Sequence, residues 1–117
     1  MRESITADKS LDFAVRIVNV SKYLMNENKE YILSKQLMRS GTSMGANVAE
    51  AQRGQSKADF IAKMSIALKE ANETLYWLKL LHRTEYLSDK QFESLNKDLQ
   101  EIISLLTASC KTANQNK

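Results

Sequence analysis

Between Ser34 and Glu50 the chain keeps a helical beat through two glycines. Leu33, Leu37, Met44, Val48 and Ala51 recur at helical spacing, with Gly41 and Gly45 inside the same run. Apolar residues in this rhythm predict a helix. Each interior glycine costs a helix about 1 kcal/mol relative to alanine. Something must offset that cost, and close backbone approach by a second helix would do so. Ser40-Gly41-Thr42-Ser43 also reads as a turn that would split the helix. The apolar phase argues for continuity, because Leu37, Met44 and Val48 are seven and then four apart and a loop would scramble that phase.

The remaining segments read the same way. With no proline and only three glycines in 117 residues, the chain favours an all-α fold. A first helix is expected over about 8–25, with Phe13, Ile17, Val20 and Leu24 on one stripe and Ser4, Thr6 and Asp8 as candidate N-caps. The glycine-bearing helix is expected over about 30–53, stopped by Gly54 as a C′ residue. A third, over about 56–84, opens on Ser56 and Asp59 and carries Phe60, Met64, Ala71, Leu75 and Leu78 on a seam. Ile61, Ile66, Tyr76, Trp77 and Leu80 lie off that seam, which suits either a partner subunit or a helix with several neighbours. The fourth, over about 88–110, starts with a capping box of Ser88 and Gln91 and a staple of Leu87 on Phe92. Its apolar face is Phe92, Leu95, Leu99, Ile102, Leu106 and Cys110, and the residues from Lys111 onward read as a frayed tail. Four amphipathic helices with short links predict a single-domain antiparallel up-down-up-down bundle over residues 1–117.

Chemistry is sparse. A di-iron bundle needs Glu-x-x-His pairs, but Lys79 stands three residues before His82, the only histidine. One histidine and one cysteine, Cys110, do not make a zinc site. The glycines lack the Gly-Lys-Ser/Thr tail of a phosphate loop. Ser40 and Ser43 have no histidine near them in sequence to act as a base. The expectation is a protein with no catalytic residues, no metal and no cofactor. There is no apolar leader and no run long enough to cross a membrane, so a soluble, cytoplasmic protein is expected. The net charge is only +3, from 17 basic and 14 acidic residues. Lys22, Lys29, Lys35, Arg53 and Lys57 are the candidate nucleic-acid contacts, although Glu27, Glu30, Glu50 and Asp59 among them favour an ordinary solvated face.

Arg39, Ser43, Asn47 and Glu50 share one helical face, at spacings of four, four and three. Lys63, Glu70 and Glu73 are available on the third helix. Set beside Gly41, Gly45, Ala46 and Ala49, these long side chains are expected to form a polar network locked between helices. On that reading Asn47→Ala and Glu50→Ala each lower the melting temperature by several degrees. The alternative is a wet face held by weak i,i+4 pairs.

Lys35-Gln-Leu-x-Arg39-Ser-Gly-Thr-Ser-Met-Gly-Ala-Asn47-Val-Ala-Glu50-Ala resembles the core motif of the four-helix-bundle intervening-sequence proteins, which are encoded in insertions of bacterial 23S ribosomal RNA genes and are sometimes labelled ribosomal-protein-like. Ser56-Lys-Ala-Asp-Phe60-Ile-x-Lys63 and Ala67-Leu-Lys-Glu70-Ala-x-Glu73-Thr-x-Tyr-Trp77-Leu match the second block, so the likeness covers roughly residues 10 to 108. The resemblance implies a homo-oligomeric ring, a pentamer, and carries over no established enzymatic activity. It implies a polar core of Arg39, Asn47, Glu50 and Glu70. Relatives include the basic accessory protein of diversity-generating retroelements, so the resemblance also implies RNA or another nucleic acid as partner. This chain is much less basic than those relatives. The rival expectation is a protein-interaction scaffold with no nucleic-acid role.

Overall fold

A computed structural model of the protein describes residues 4–115. It contains four helices: α1 (Ile5–Glu27), α2 (Ile32–Ala51), α3 (Lys57–Arg83) and α4 (Asp89–Gln115). Contacts between neighbours run in opposite order along each pair. Gly41 lies on Ile17 and Gly45 on Ser10. Glu50 meets Lys63 and Arg39 meets Glu73. Arg16 reaches Asp98 at 2.7 Å and Lys9 reaches Glu101 at 3.2 Å. The helices therefore run up, down, up and down around one core.

That core is built from the expected stripes. Phe13, Ile17 and Leu24 of α1 meet Leu37, Met44 and Val48 of α2, Met64, Ala71, Leu78 and Leu81 of α3, and Leu95, Leu99, Ile102 and Leu106 of α4. α2 passes unbroken through Gly41 and Gly45, so the turn reading of residues 40–43 does not describe the protein. Cys110 is half-buried against this core, as a small apolar side chain would be.

The helix ends show what sets the boundaries. Ser4, one of the three candidate caps, begins α1 by accepting from the Ala7 amide at 3.1 Å. The Ser88–Gln91 box forms in both directions, with Ser88 N–H donating to Gln91 Oε1 at 2.8 Å and Gln91 N–H donating to Ser88 Oγ at 3.1 Å. Three expected ends are corrected. α2 starts at Ile32 rather than residue 30, with Tyr31 at the N-cap position and the Glu30 carboxylate accepting from the first amides. It stops at Ala51, and Gly54 does not have positive φ. Arg53 N–H and Gly54 N–H close tight turns onto Glu50 and Ala51 carbonyls, and a Cβ at Gly54 would crowd the Ala51 oxygen at 3.2 Å. Lastly, α4 continues through Lys111 to Gln115, where a frayed tail was expected.

The left-handed positions fall instead on Lys29 (φ 55°) and Glu85 (φ 69°). At the end of α3, Tyr86 N–H donates to Leu81 O at 2.9 Å and Glu85 N–H to His82 O at 3.1 Å. This is the Schellman pattern with glutamate at the usual glycine position.

Candidate functional site

The polar face of α2 is best followed from its first turn. A helix start leaves backbone amides without intrahelical acceptors. Here the Glu30 carboxylate accepts from the amides of Ile32 (3.2 Å), Leu33 (2.9 Å) and Ser34 (2.8 Å), and from Ser34 Oγ at 2.9 Å. Burial pushes this carboxyl up, but these donors outweigh burial and hold it below the usual carboxylate range. Glu30 is thus an anchored helix cap and not part of a solvated charged face. The sequence signal was available: an acid directly before an apolar-periodic run that lacks Ser, Thr, Asp or Asn at the cap.

Along the body of α2, the structure brings together Arg39, Ser43, Asn47 and Glu70. The Arg39 guanidinium bridges Glu73 and, at 3.5 Å, Glu70. Ser43 Oγ donates to Glu70 Oε2 at 3.4 Å, and Asn47 Nδ2 donates to Ser43 O at 2.9 Å. Trp77 Nε1 donates to Glu73 Oε2 at 3.2 Å, tying the network to the aromatic side of α3. This bond is the largest influence holding the Glu73 carboxyl below its ordinary range, with burial opposing and Arg39 adding to it. Glu73 in turn is the main reason the Arg39 guanidinium is held still more firmly charged.

Glu50 stands outside this set. It pairs with Lys63 at 2.8 Å, in the open. The face as a whole is not sealed between helices. Half of the Arg39 side chain is exposed, against 16% of Glu70. The contact between α2 and α3 that is fully buried lies beneath, where Thr74 Oγ1 donates to Ser40 Oγ at 2.9 Å.

The two glycines point elsewhere. A Cβ on Gly41 would meet Ile17 Cγ2 at 2.8 Å, and one on Gly45 would meet the Ser10 carbonyl oxygen at 3.3 Å. Both contacts are with α1. The expected coupling of glycines to the polar network is therefore corrected, and helix geometry explains it. At about 100° per residue, positions two apart lie on opposite sides of a helix. Arg39 and Ser43 flank Gly41 at that separation, so the glycines face α1 while the network faces α3.

The candidate nucleic-acid residues are all exposed but do not form one patch. Lys22, Lys29 and Lys35 surround the α1–α2 corner, whereas Arg53 and Lys57 lie at the α2–α3 corner. The 20 residues of α2 separate the two groups, a span of about 30 Å at 1.5 Å per residue. His82 sits at the end of α3, its ring stacked on Phe92 at 4.4 Å and its Nε2 2.7 Å from Asp89. Among the described residues no three histidine, cysteine or acidic side chains gather in a metal-binding group, and no helix is long and apolar enough to cross a membrane.

Residues 2–108 match the family model described as 23S rRNA-intervening sequence protein. The chain belongs to that family. A crystal structure of a protein of unknown function from the S23 ribosomal protein family of Bacteroides thetaiotaomicron superposes with a TM-score of 0.90. The two sequences are 61% identical over 92% of this chain and 99% of that one. No curated protein matches the sequence. The family match spans α1, α2, α3 and most of α4, so the Arg39–Glu70 network and both α2 glycines lie inside the family domain.

Proposed function

We propose that this intervening-sequence family member acts without catalysis, as a homo-oligomeric ring of helical bundles that associates with structured RNA. By the likeness read in the sequence, that ring is a pentamer. The observation that carries the proposal is the exposed triad Lys22, Lys29 and Lys35 at one corner of the bundle. One copy offers RNA few phosphate contacts. A ring repeats the triad on one rim, and linked weak contacts add up to useful avidity.

Labelled structured RNA titrated with the protein at low and at raised salt tests this. Binding that weakens steeply with salt, and that disappears in the Lys22→Glu/Lys35→Glu variant, is the expected result. The wide separation of the triad from Arg53 and Lys57 favours a second reading, a protein scaffold with no nucleic-acid role. Absence of binding even at low salt would select that reading.

A further inference from the structure

The seam between α1 and α4 is the least closely packed in the bundle. A cleft of about 340 Å³ opens there, lined by Arg16, Asn19, Val20 and Tyr23 of α1 and by Gln91 and Leu95 of α4. The four α1 residues recur at helical spacing and form one stripe. The volume lies at the small end of ligand pockets, about 300–1,000 Å³, and suits one planar ring system rather than a peptide or a lipid chain.

The walls supply what such a ring needs. Val20 and Leu95 make an apolar floor that joins the core. Tyr23, 46% exposed, offers an aromatic face. Arg16 offers a second flat surface, because its guanidinium is pinned. It donates to Ser94 O at 3.2 Å, to Ser94 Oγ at 2.8 Å and to Asp98 Oδ2 at 2.7 Å. Those bonds occupy its edge and set its charge against Asp98, so the cleft is not built for a free anion. The faces of the guanidinium plane stay available for stacking. Gln91 Oε1 accepts from Ser88 N–H, so the Gln91 amide NH2 is the group left to donate. Asn19 is exposed and brings both a donor and an acceptor. Flat faces beside hydrogen-bonding edges are how proteins hold the unpaired bases of RNA.

The structure assigns this cleft to an unpaired nucleobase of RNA, stacked on Tyr23 and met at its edge by Asn19 and Gln91. The assignment rests on the RNA reading above and names the part of the RNA that is held, a base in a loop, a bulge or a free end. A base within a duplex is stacked on its neighbours and presents no face to Tyr23. The backbone on either side of the base also has cations to follow. Lys22 adjoins Tyr23 and is exposed, and Lys29 lies just beyond the end of α1. One strand thus meets a stacking ring and a charged path together, the combination by which single strands are bound.

Titration with a short unpaired RNA carrying a fluorescent base analogue, with the same sequence in a duplex, and with adenosine monophosphate tests the assignment. The proteins are the parent, Tyr23→Ala, Asn19→Ala and Tyr76→Ala. All three positions are exposed on helices, and an unchanged circular-dichroism melt verifies that each variant is folded. The parent should bind the unpaired strand more tightly than the duplex and quench the analogue as it stacks. Tyr23→Ala should weaken strand binding about 5- to 100-fold, the range for one stacked base, and abolish the quench. Asn19→Ala should weaken it by a smaller factor. Tyr76→Ala, which removes another exposed tyrosine but on α3, should change neither. Unchanged binding in Tyr23→Ala, or a duplex held as tightly as the strand, overturns the cleft assignment while RNA association through the lysines stands. A mononucleotide held as tightly as the strand overturns RNA as the source of the base. Absence of binding to any RNA at low salt removes the RNA reading itself, and this assignment with it.

Discussion

α2 has two working sides, and they solve different problems. Toward α1 it is dry and close, with Gly41 against the buried Ile17 side chain and no room for a methyl group. Toward α3 it is wet at the surface, where Arg39 and the two glutamates meet half in solvent. The contrast shows that the glycines do not make room for the polar network. They let two helices approach, while the network sits on the opposite side of the helix. Substitutions at the close α1 contact should therefore cost more than substitutions in the surface network, and each substitution below tests that division.

The dry side is tested first at Gly41. Alanine there recovers about 1 kcal/mol of helix propensity. It also drives a methyl into Ile17, a β-branched side chain with no freedom to yield, and overpacking of that kind costs about 1–3 kcal/mol. Gly41→Ala should lower the midpoint of urea unfolding. Gly45→Ala meets a looser contact at 3.3 Å and should stay close to the parent. Equal losses at both glycines would break the account of the dry side.

Next is the cap. Glu30→Ala removes the acceptor for three amides at the start of α2, a loss of about 1–2 kcal/mol by analogy with other N-caps. The pH dependence follows from the depressed carboxyl. Its folded pKa lies below its unfolded one, so its stabilisation is complete above about pH 4.3 and fades as pH falls through the folded value. Glu73 shifts in the same direction and adds to the same acid window. Melts recorded from pH 7 down to pH 3 should fall less for Glu30→Gln than for the parent.

A gain of comparable size is expected at Glu85, where a non-glycine residue occupies the left-handed position. Glu85→Gly should raise stability by about 1 kcal/mol in the same melt.

The wet side should matter least. Arg39→Ala should cost at most about 1 kcal/mol, because the pair is half exposed and screened. For Glu50→Ala, fully in the open with Lys63, the melting temperature should not move. This replaces the several-degree loss read from the sequence. A large loss at either position would show that the face is sealed and would erase the contrast between the two sides.

Much of this fold is legible in the residues themselves. The apolar stripes of all four helices mark the buried positions, and the Ser88–Gln91 box and the Ser4 cap mark helix starts. The less legible features share a cause, which is that the usual residue is absent. Lys29 and Glu85 take left-handed turns with no glycine to signal them. Glu30 caps from two residues before the helix. Thr74, between Ala71 and Leu78 on the seam, carries the buried bond to Ser40, but a lone threonine in an apolar stripe looks like an exception to it. The placement of the glycines was legible after all. Two residues along a helix is more than half a turn, so Gly41 and Arg39 were never on one face.

The most direct test is Gly41→Ala measured by urea unfolding both in the parent and in an Ile17→Ala background. Ile17→Ala clears the atoms that the new methyl would strike, at a cost of about 2–5 kcal/mol of its own. The added methyl should destabilise the parent and stabilise the Ile17→Ala protein, reversing sign between the two. The same change in both backgrounds would contradict a helix docked onto α1 through Gly41.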